Sequence, residues 1–172
     1  QRQMCIRDRD NTDISIEYKD GVQQVILNGE NVTSLLRTEE TGKMASKTSK
    51  YAAVRTKLVA LQRGLAKKTD VIMDGRDIGT TVLPDAFAKI YLTASSDARA
   101  KRRYDELKEK GENRSFDAIK EDIEKRDYED MHRAISPLKQ ADDAVLVDTS
   151  DMNIEQVVAV LSKIIDEKKA GR

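Results

Sequence analysis

The densest chemistry in the chain lies in VIMDGRDIGTTVLPDA, residues 71–86. An apolar run there ends in Asp74, Gly75, Arg76 and Asp77, and in open α/β sheets ligands bind beyond the carboxyl ends of the strands. Gly75 suits a sharp turn, Arg76 offers a bidentate fork to phosphate, and Asp77 stands beside it as an acceptor. A structural turn held by an Arg–Asp pair would use the same residues. In a second cluster, ARAKRRYDELKEKGENR, a helix places Arg99, Arg102 and Arg103 at i, i+3 and i+4. Three guanidinium groups then share a face and repel one another unless an anion joins them. With Asp105, Glu106 and Glu109 nearby, a solvated charged face is the plainer alternative. The third cluster, EKRDYEDMHRAISPL, sets Arg126, Asp130 and Arg133 at i, i+4 and i+7, with Pro137 expected to end the helix. An intrahelical ion-pair ladder would look the same. His132, the single histidine, has no thiol or second imidazole near it in sequence and is given no role.

Arginine-rich patches with interleaved aspartates point to a small charged ligand bearing phosphates. Phosphoryl transfer fits such a set, since it depends on placement and charge stabilisation more than on covalent chemistry from the protein. Lys+Arg and Asp+Glu both number 31, so no global positive field would hold a polyanion, and bulk nucleic-acid binding is disfavoured. One cysteine, Cys5, allows no intrachain disulfide framework, and no apolar run reaches the roughly 18–20 residues that span a bilayer. A reducing cytoplasm is the expected location, and Gln1 to Arg9 shows no apolar signal-peptide core.

The elements that must position these residues follow from periodicity. With 172 residues the chain fits one domain with room for a small appendage, and 36% charged against 4% aromatic residues suggests a helix-rich protein. ISIEY and VQQVIL, split by Lys19-Asp20-Gly21, predict a small antiparallel ribbon over 13–31. Tyr51, Val54, Leu58, Leu61 and Leu65 lie three or four apart and predict an amphipathic helix. VIMD (71–74), KIYLT (89–93) and AVLVD (144–148) read as parallel strands buried on both faces. Between and after them, helices are expected at Ser96 to Lys110, Ser115 to Arg133 and Asn153 to Lys169, with Gly111-Glu112-Asn113 turning the first two into a hairpin. Such alternation implies an α/β doubly wound sheet.

DGRDIGTTVLPDA, KIYLTASSDARAKRR and RDYEDMHRAISPLKQADDAVLVDTS, in this order and spacing, resemble the bacterial cytidylate kinase family over Asp13 to Lys169. NGENVTSLLRTEE is similar to the insertion that marks this family among nucleoside monophosphate kinases. The resemblance implies a P-loop nucleoside monophosphate kinase-like parallel sheet with helices on both faces and a small antiparallel β insertion. It implies a CMP-binding insertion over 13–48, a core with the DGRD loop over 49–95, lid-region helices over 96–133 and a core strand and helix over 134–172. Residues 1–12 match nothing in the family. Arg76 would hold the CMP phosphate; Ser46, Arg55 and Asp77 would read the cytosine. Arg126, Asp130 and Arg133 would bind ribose and adjoining parts of CMP. One or more of Arg99, Arg102 and Arg103 would neutralise the transferring phosphoryl group, and Asp74 would orient water on magnesium. The implied substrates are CMP or dCMP and ATP with Mg²⁺, with no nucleic-acid or membrane partner and a monomeric intact enzyme.

The chain departs from the family in one respect. It contains no G-x-x-x-x-G-K-[ST], the loop whose N–H groups and lysine grip ATP phosphates. The expected sheet therefore lacks its central first strand, and the chain as given is expected to be inactive although its parent phosphorylates CMP. A kinase of another small acceptor, or a nucleotide-binding or regulatory module without catalysis, are the alternatives.

Overall fold

The computed structural model describes residues 12–36, 38–49 and 51–171; the side chains at 39, 43 and 46 lie outside that description. Residues 1–11, most of the segment expected to be unmatched, also lie outside it. Two compact units form, Gln1–Ile72 and Met73–Arg172, so the division falls inside the expected 49–95 core segment.

In the first unit β1 (Ile14–Lys19) and β2 (Val22–Leu27) pair antiparallel, Ile14 opposite Leu27 and Lys19 opposite Val22. Their turn needs positive φ at both central residues, and Asp20 and Gly21 supply 53° and 76°. Asn28 and Gly29, at 50° and 84°, repeat the device and fold β3 (Glu30–Asn31) onto β2. Asn-Gly is among the strongest hairpin signals, so this second turn too has a local sequence cause. Helix α1 (Glu39–Thr48) starts at Thr38, whose Oγ1 accepts from Thr41 N at 3.2 Å. Helix α2 (Ala52–Ala66) carries the expected stripe behind Tyr51 at its cap, with none of its residues fully buried.

In the second unit β4 (Ile90–Thr93) and β5 (Val145–Asp148) pair in parallel, Ile90 beside Val145 and Thr93 beside Asp148. Helices α3 (Ser96–Glu109), α4 (Phe116–His132) and α5 (Ile154–Ala170) fall within a residue or so of expectation because their caps are strong. Ser95, Ser115 and Asn153 each accept from a first-turn N–H, and Asn153 with Gln156 forms a reciprocal capping box. Gly111, at φ 77°, reverses the chain between α3 and α4, whose facing sides bury Ala100, Leu107 and Ile119 with Tyr104, Phe116 and Ile123 around them. The protein is thus mixed α/β with a parallel sheet and helices. No described helix is long and apolar enough to cross a membrane.

Two expectations are corrected. VIMD forms no strand: residues 71–74 pair with nothing as a ladder, and Ile72 is 99% exposed. An apolar run becomes a buried strand only where another strand takes its backbone groups, and β4 offers its ladder to β5. Lys89 O accepts from Val145 N and Thr93 O from Thr149 N, so odd-numbered groups of β4 face β5 and those of Ile90 and Leu92 face away. Among the described residues no strand lies on that second edge. Pro137, likewise, does not end α4. The helix stops at His132 and Arg133 is already extended, φ −66° and ψ 142°, four residues ahead of the proline.

Candidate functional site

The DGRD loop leads into a single π-helical turn, Ile78–Val82, in which the amides of Thr81 and Val82 both donate to Asp77 O, at 2.8 and 3.2 Å. Val82, 2% exposed, seats the turn in the unit's interior, and Asp77 is carried in with it at 8%. Gly75 is required for space rather than for positive φ: a Cβ there would stand 2.9 Å from Ile78 Cγ1.

A four-residue network joins this loop to the end of α4. Arg76 Nε donates to Asp130 Oδ2 at 2.9 Å across 54 residues of sequence. Asp130 Oδ1 faces Arg133 Nη1 at 3.7 Å, and Arg133 Nη2 lies 4.0 Å from Asp77 Oδ1. Two guanidinium groups thus share two carboxylates, an arrangement that preorganises donors without leaving buried charge alone. Arg126, one turn before Asp130, is exposed.

A cavity of about 390 Å³ opens beside the network, bounded by Asp74, Arg76 and Asp77 on one side and by Arg99, Arg102 and Thr149 on another. Its lining also runs the length of β4, from Ala88 to Ala94, and so reaches well back from the strand's carboxyl end, where open α/β sheets ordinarily place ligands. The three arginines of α3 do not act as one face. Arg99 donates from Nε to Ala94 O at 3.0 Å and from Nη2 to Asp127 Oδ2 at 2.6 Å. Arg102 reaches the carbonyl of Thr149 and, at 3.4 Å, its Oγ1. Arg103 turns outward to Glu106 at 2.7 Å. Separate acceptors in three directions relieve the repulsion that would have called for one shared anion. Lys110 and then Arg103 hydrogen-bond the Glu106 carboxyl and hold it down to about 2.

Ser46 and Arg55 belong to the first unit: Ser46 lies on α1 with its side chain outside the description, and Arg55 in the first turn of α2, half-buried. His132 stacks on Tyr128, centroids 4.0 Å apart, and meets its carbonyl through Nδ1.

Three contributors escaped the sequence. Asp127 follows Arg126 directly, yet one residue further on a helix it faces α3. Thr149 follows the AVLVD run and was not singled out; its amide and Oγ1 both donate to Thr93 O, at 2.8 and 3.0 Å, closing the mouth of the sheet. Lys89 looked like the start of a strand, but its side chain is only 8% exposed and its Nζ binds the Pro84 carbonyl and Asp143 at 2.7 Å. That bond holds the Asp143 carboxyl below its usual range. No local sequence signal marks such partners, because each is set by elements distant in the chain.

A parallel sheet with helices, and paired arginines and aspartates beside it, is consistent with the nucleoside monophosphate kinase class of fold. Comparison with known proteins narrows this. The family model for cytidylate kinase matches residues 5–167, reaching back into the stretch expected to be unmatched. The chain is 50% identical to the cytidylate kinase of Lactobacillus johnsonii over 160 residues, 93% of this chain and 70% of that one. It is 48% identical to that of Caldicellulosiruptor saccharolyticus, covering 91% and 68%, and 44% identical to that of Thermosipho melanesiensis, covering 91% and 71%. The chain belongs to the cytidylate kinase family.

Proposed function

We propose that this chain carries the acceptor side of a (d)CMP kinase, in which the γ-phosphoryl of ATP passes to CMP or dCMP to give CDP or dCDP. The network of Arg76, Asp130, Arg133 and Asp77 beside the cavity supports this reading most directly. Arg76, with 42% of its side chain exposed, keeps donors open to a phosphate while Asp130 fixes its Nε. Asp77 reads cytosine, whose N4 amine is a donor and whose N3 and O2 are acceptors. Uracil would set a carbonyl against Asp77, and the unpaired acceptors reject it. Arg126, Asp130 and Arg133 take the ribose and adjoining atoms.

Arg99 and Arg102, which line the cavity, stabilise the transferring phosphoryl group, whereas Arg103, turned to Glu106, would have to leave that pair to join them. Magnesium enters with ATP as part of that substrate. Exposed Asp74 would orient a water on that ion. VIMD would gain strand partners in the wider sheet of the intact kinase fold, in a reducing cytoplasm.

Calorimetric titration tests the acceptor reading on the chain itself. CMP is expected to bind, UMP at least about tenfold more weakly, and Arg76→Ala to remove CMP binding. Equal affinity for UMP and CMP, or undiminished binding by Arg76→Ala, would refute it.

A further inference from the structure

Ser136 holds a positive φ of 49° immediately before Pro137. The Cβ of an L-residue disfavours that conformation, and a residue preceding proline is pushed toward extended backbone, so the local preferences oppose it twice. Such residues persist where their surroundings over-determine them. Arg133 Nε donates to Ser136 O at 2.6 Å, Thr81 Oγ1 donates to Ser136 Oγ at 3.4 Å, and Leu138 N donates to Asp130 O at 2.8 Å. The loop 134–137 is therefore pinned both to the end of α4 and to the π turn that follows Asp77.

The consequence falls on Arg133. Because α4 stops at His132, helical geometry does not aim this side chain. With Nε fixed on Ser136 O, the guanidinium plane is set: Nη1 toward Asp130 and Nη2 toward Asp77. Nη2 is buried without a hydrogen-bond partner among the described residues, a state that costs free energy unless something holds it there.

We propose that Ser136 is a positioning residue for the phosphoryl acceptor site. Its left-handed backbone presents a carbonyl to Arg133 Nε and fixes Nη2 against Asp77, the carboxylate that lines the cavity. The main chain does this work, not the hydroxyl. The proposal rests on the acceptor-site reading above only in naming the ligand.

Variants at this one position separate the backbone from the side chain. Ser136→Asn, Ser136→Gly and Ser136→Val all remove the hydroxyl, but asparagine and glycine adopt positive φ readily and valine does not. Two measurements on each purified chain suffice: the ¹⁵N NMR signal and exchange rate of the Arg133 Nε–H, which needs no nucleotide, and a CMP titration. Asn and Gly are expected to keep a slowly exchanging Nε–H and to bind CMP within about twofold of the parent. Val is expected to lose the slow Nε–H and to bind about tenfold more weakly, the size of one lost hydrogen bond to a charged group. Should Val fail to fold, Ser136→Ala carries the comparison with a loss of about threefold, since alanine tolerates positive φ less well than asparagine. A slow Nε–H and parental affinity in Val or Ala would overturn the proposal, as would their loss in Asn and Gly. If even the parent binds no CMP, the acceptor-site reading fails, and the Nε–H series still decides whether the clamp exists.

Discussion

The α3–α4 hairpin and the β4–β5 sheet belong to the same unit and are secured in different ways. The hairpin joins helices of 14 and 17 residues over a core in which Ala100, Leu107 and Ile119 are no more than 3% exposed. Polar ties lock one end, with Arg99 on Asp127, Ser96 on Glu124 at 2.9 Å and Lys120 on Asp97 at 2.9 Å. The sheet has four residues per strand, drawn from 90–93 and 145–148, and Leu92 and Leu146 remain 52% and 56% exposed. A helix satisfies its own backbone and needs one apolar neighbour. A strand's backbone groups need a neighbouring strand, so its stability is shared with whatever lies beside it.

The largest effect expected from this contrast is catalytic. The hairpin presents Arg99 and Arg102 to the cavity, but the sheet side carries no G-x-x-x-x-G-K-[ST] within the 172 residues. Preorganised phosphate donors are each worth about 10²–10³ in rate at comparable sites. A coupled assay with ATP and CMP is therefore expected to show only background turnover by this chain, and family-like turnover would break the comparison. Next come core truncations. Leu107→Ala in the hairpin should lower stability by about 2–5 kcal/mol, and Val147→Ala in the sheet by only about 1–2, read from urea midpoints at unchanged slope. Equal losses would mean that the sheet is as well supported as the hairpin.

The smallest effect is that of pH. A carboxyl whose folded value is depressed contributes stability above its unfolded value and loses it as pH falls through the folded one. For Glu106 that window runs from 4.5 down to about 2. The Asp148 carboxyl, held low by Ser150, behaves in the same sense below its ordinary 3.8. Glu106→Gln should flatten the hairpin's acid limb only slightly, because exposed pairs are screened. Asp148→Asn should leave the hairpin's limb unchanged. Helical circular dichroism followed from neutral pH down to about pH 2 reads both.

What the sequence disclosed divides along the same line. Helix limits were legible because Ser95, Ser115 and Asn153 announce them locally, and so was the Asp20-Gly21 turn. KIYLT and AVLVD became strands, whereas VIMD, equally apolar, did not, since strand formation depends on a neighbour that a local pattern does not contain. The network of Arg76, Asp130, Arg133 and Asp77 was half legible. The residue types of Arg76, Asp77, Asp130 and Arg133 suggested phosphate, but a helical register for Arg133 was the wrong reason for its placement: it meets its partners because the helix has ended. The shared face of Arg99, Arg102 and Arg103 dissolved for a related cause, as Asp127, Thr149 and Glu106 each drew one away.

Arg102 has a mechanical consequence. Its guanidinium holds the Thr149 carbonyl, Thr149 in turn holds Thr93, and Ser95 N donates to Ser150 Oγ at 2.9 Å. The first two turns of α3 are therefore riveted to the end of the sheet and would travel with it as one stiff body. A swing of the hairpin has no pivot at the strand–helix junction, where a hinge would ordinarily be sought. Bending must fall beyond Arg102, toward Gly111, so the far end of the hairpin would sweep while the arginines at its root stay registered to the strands.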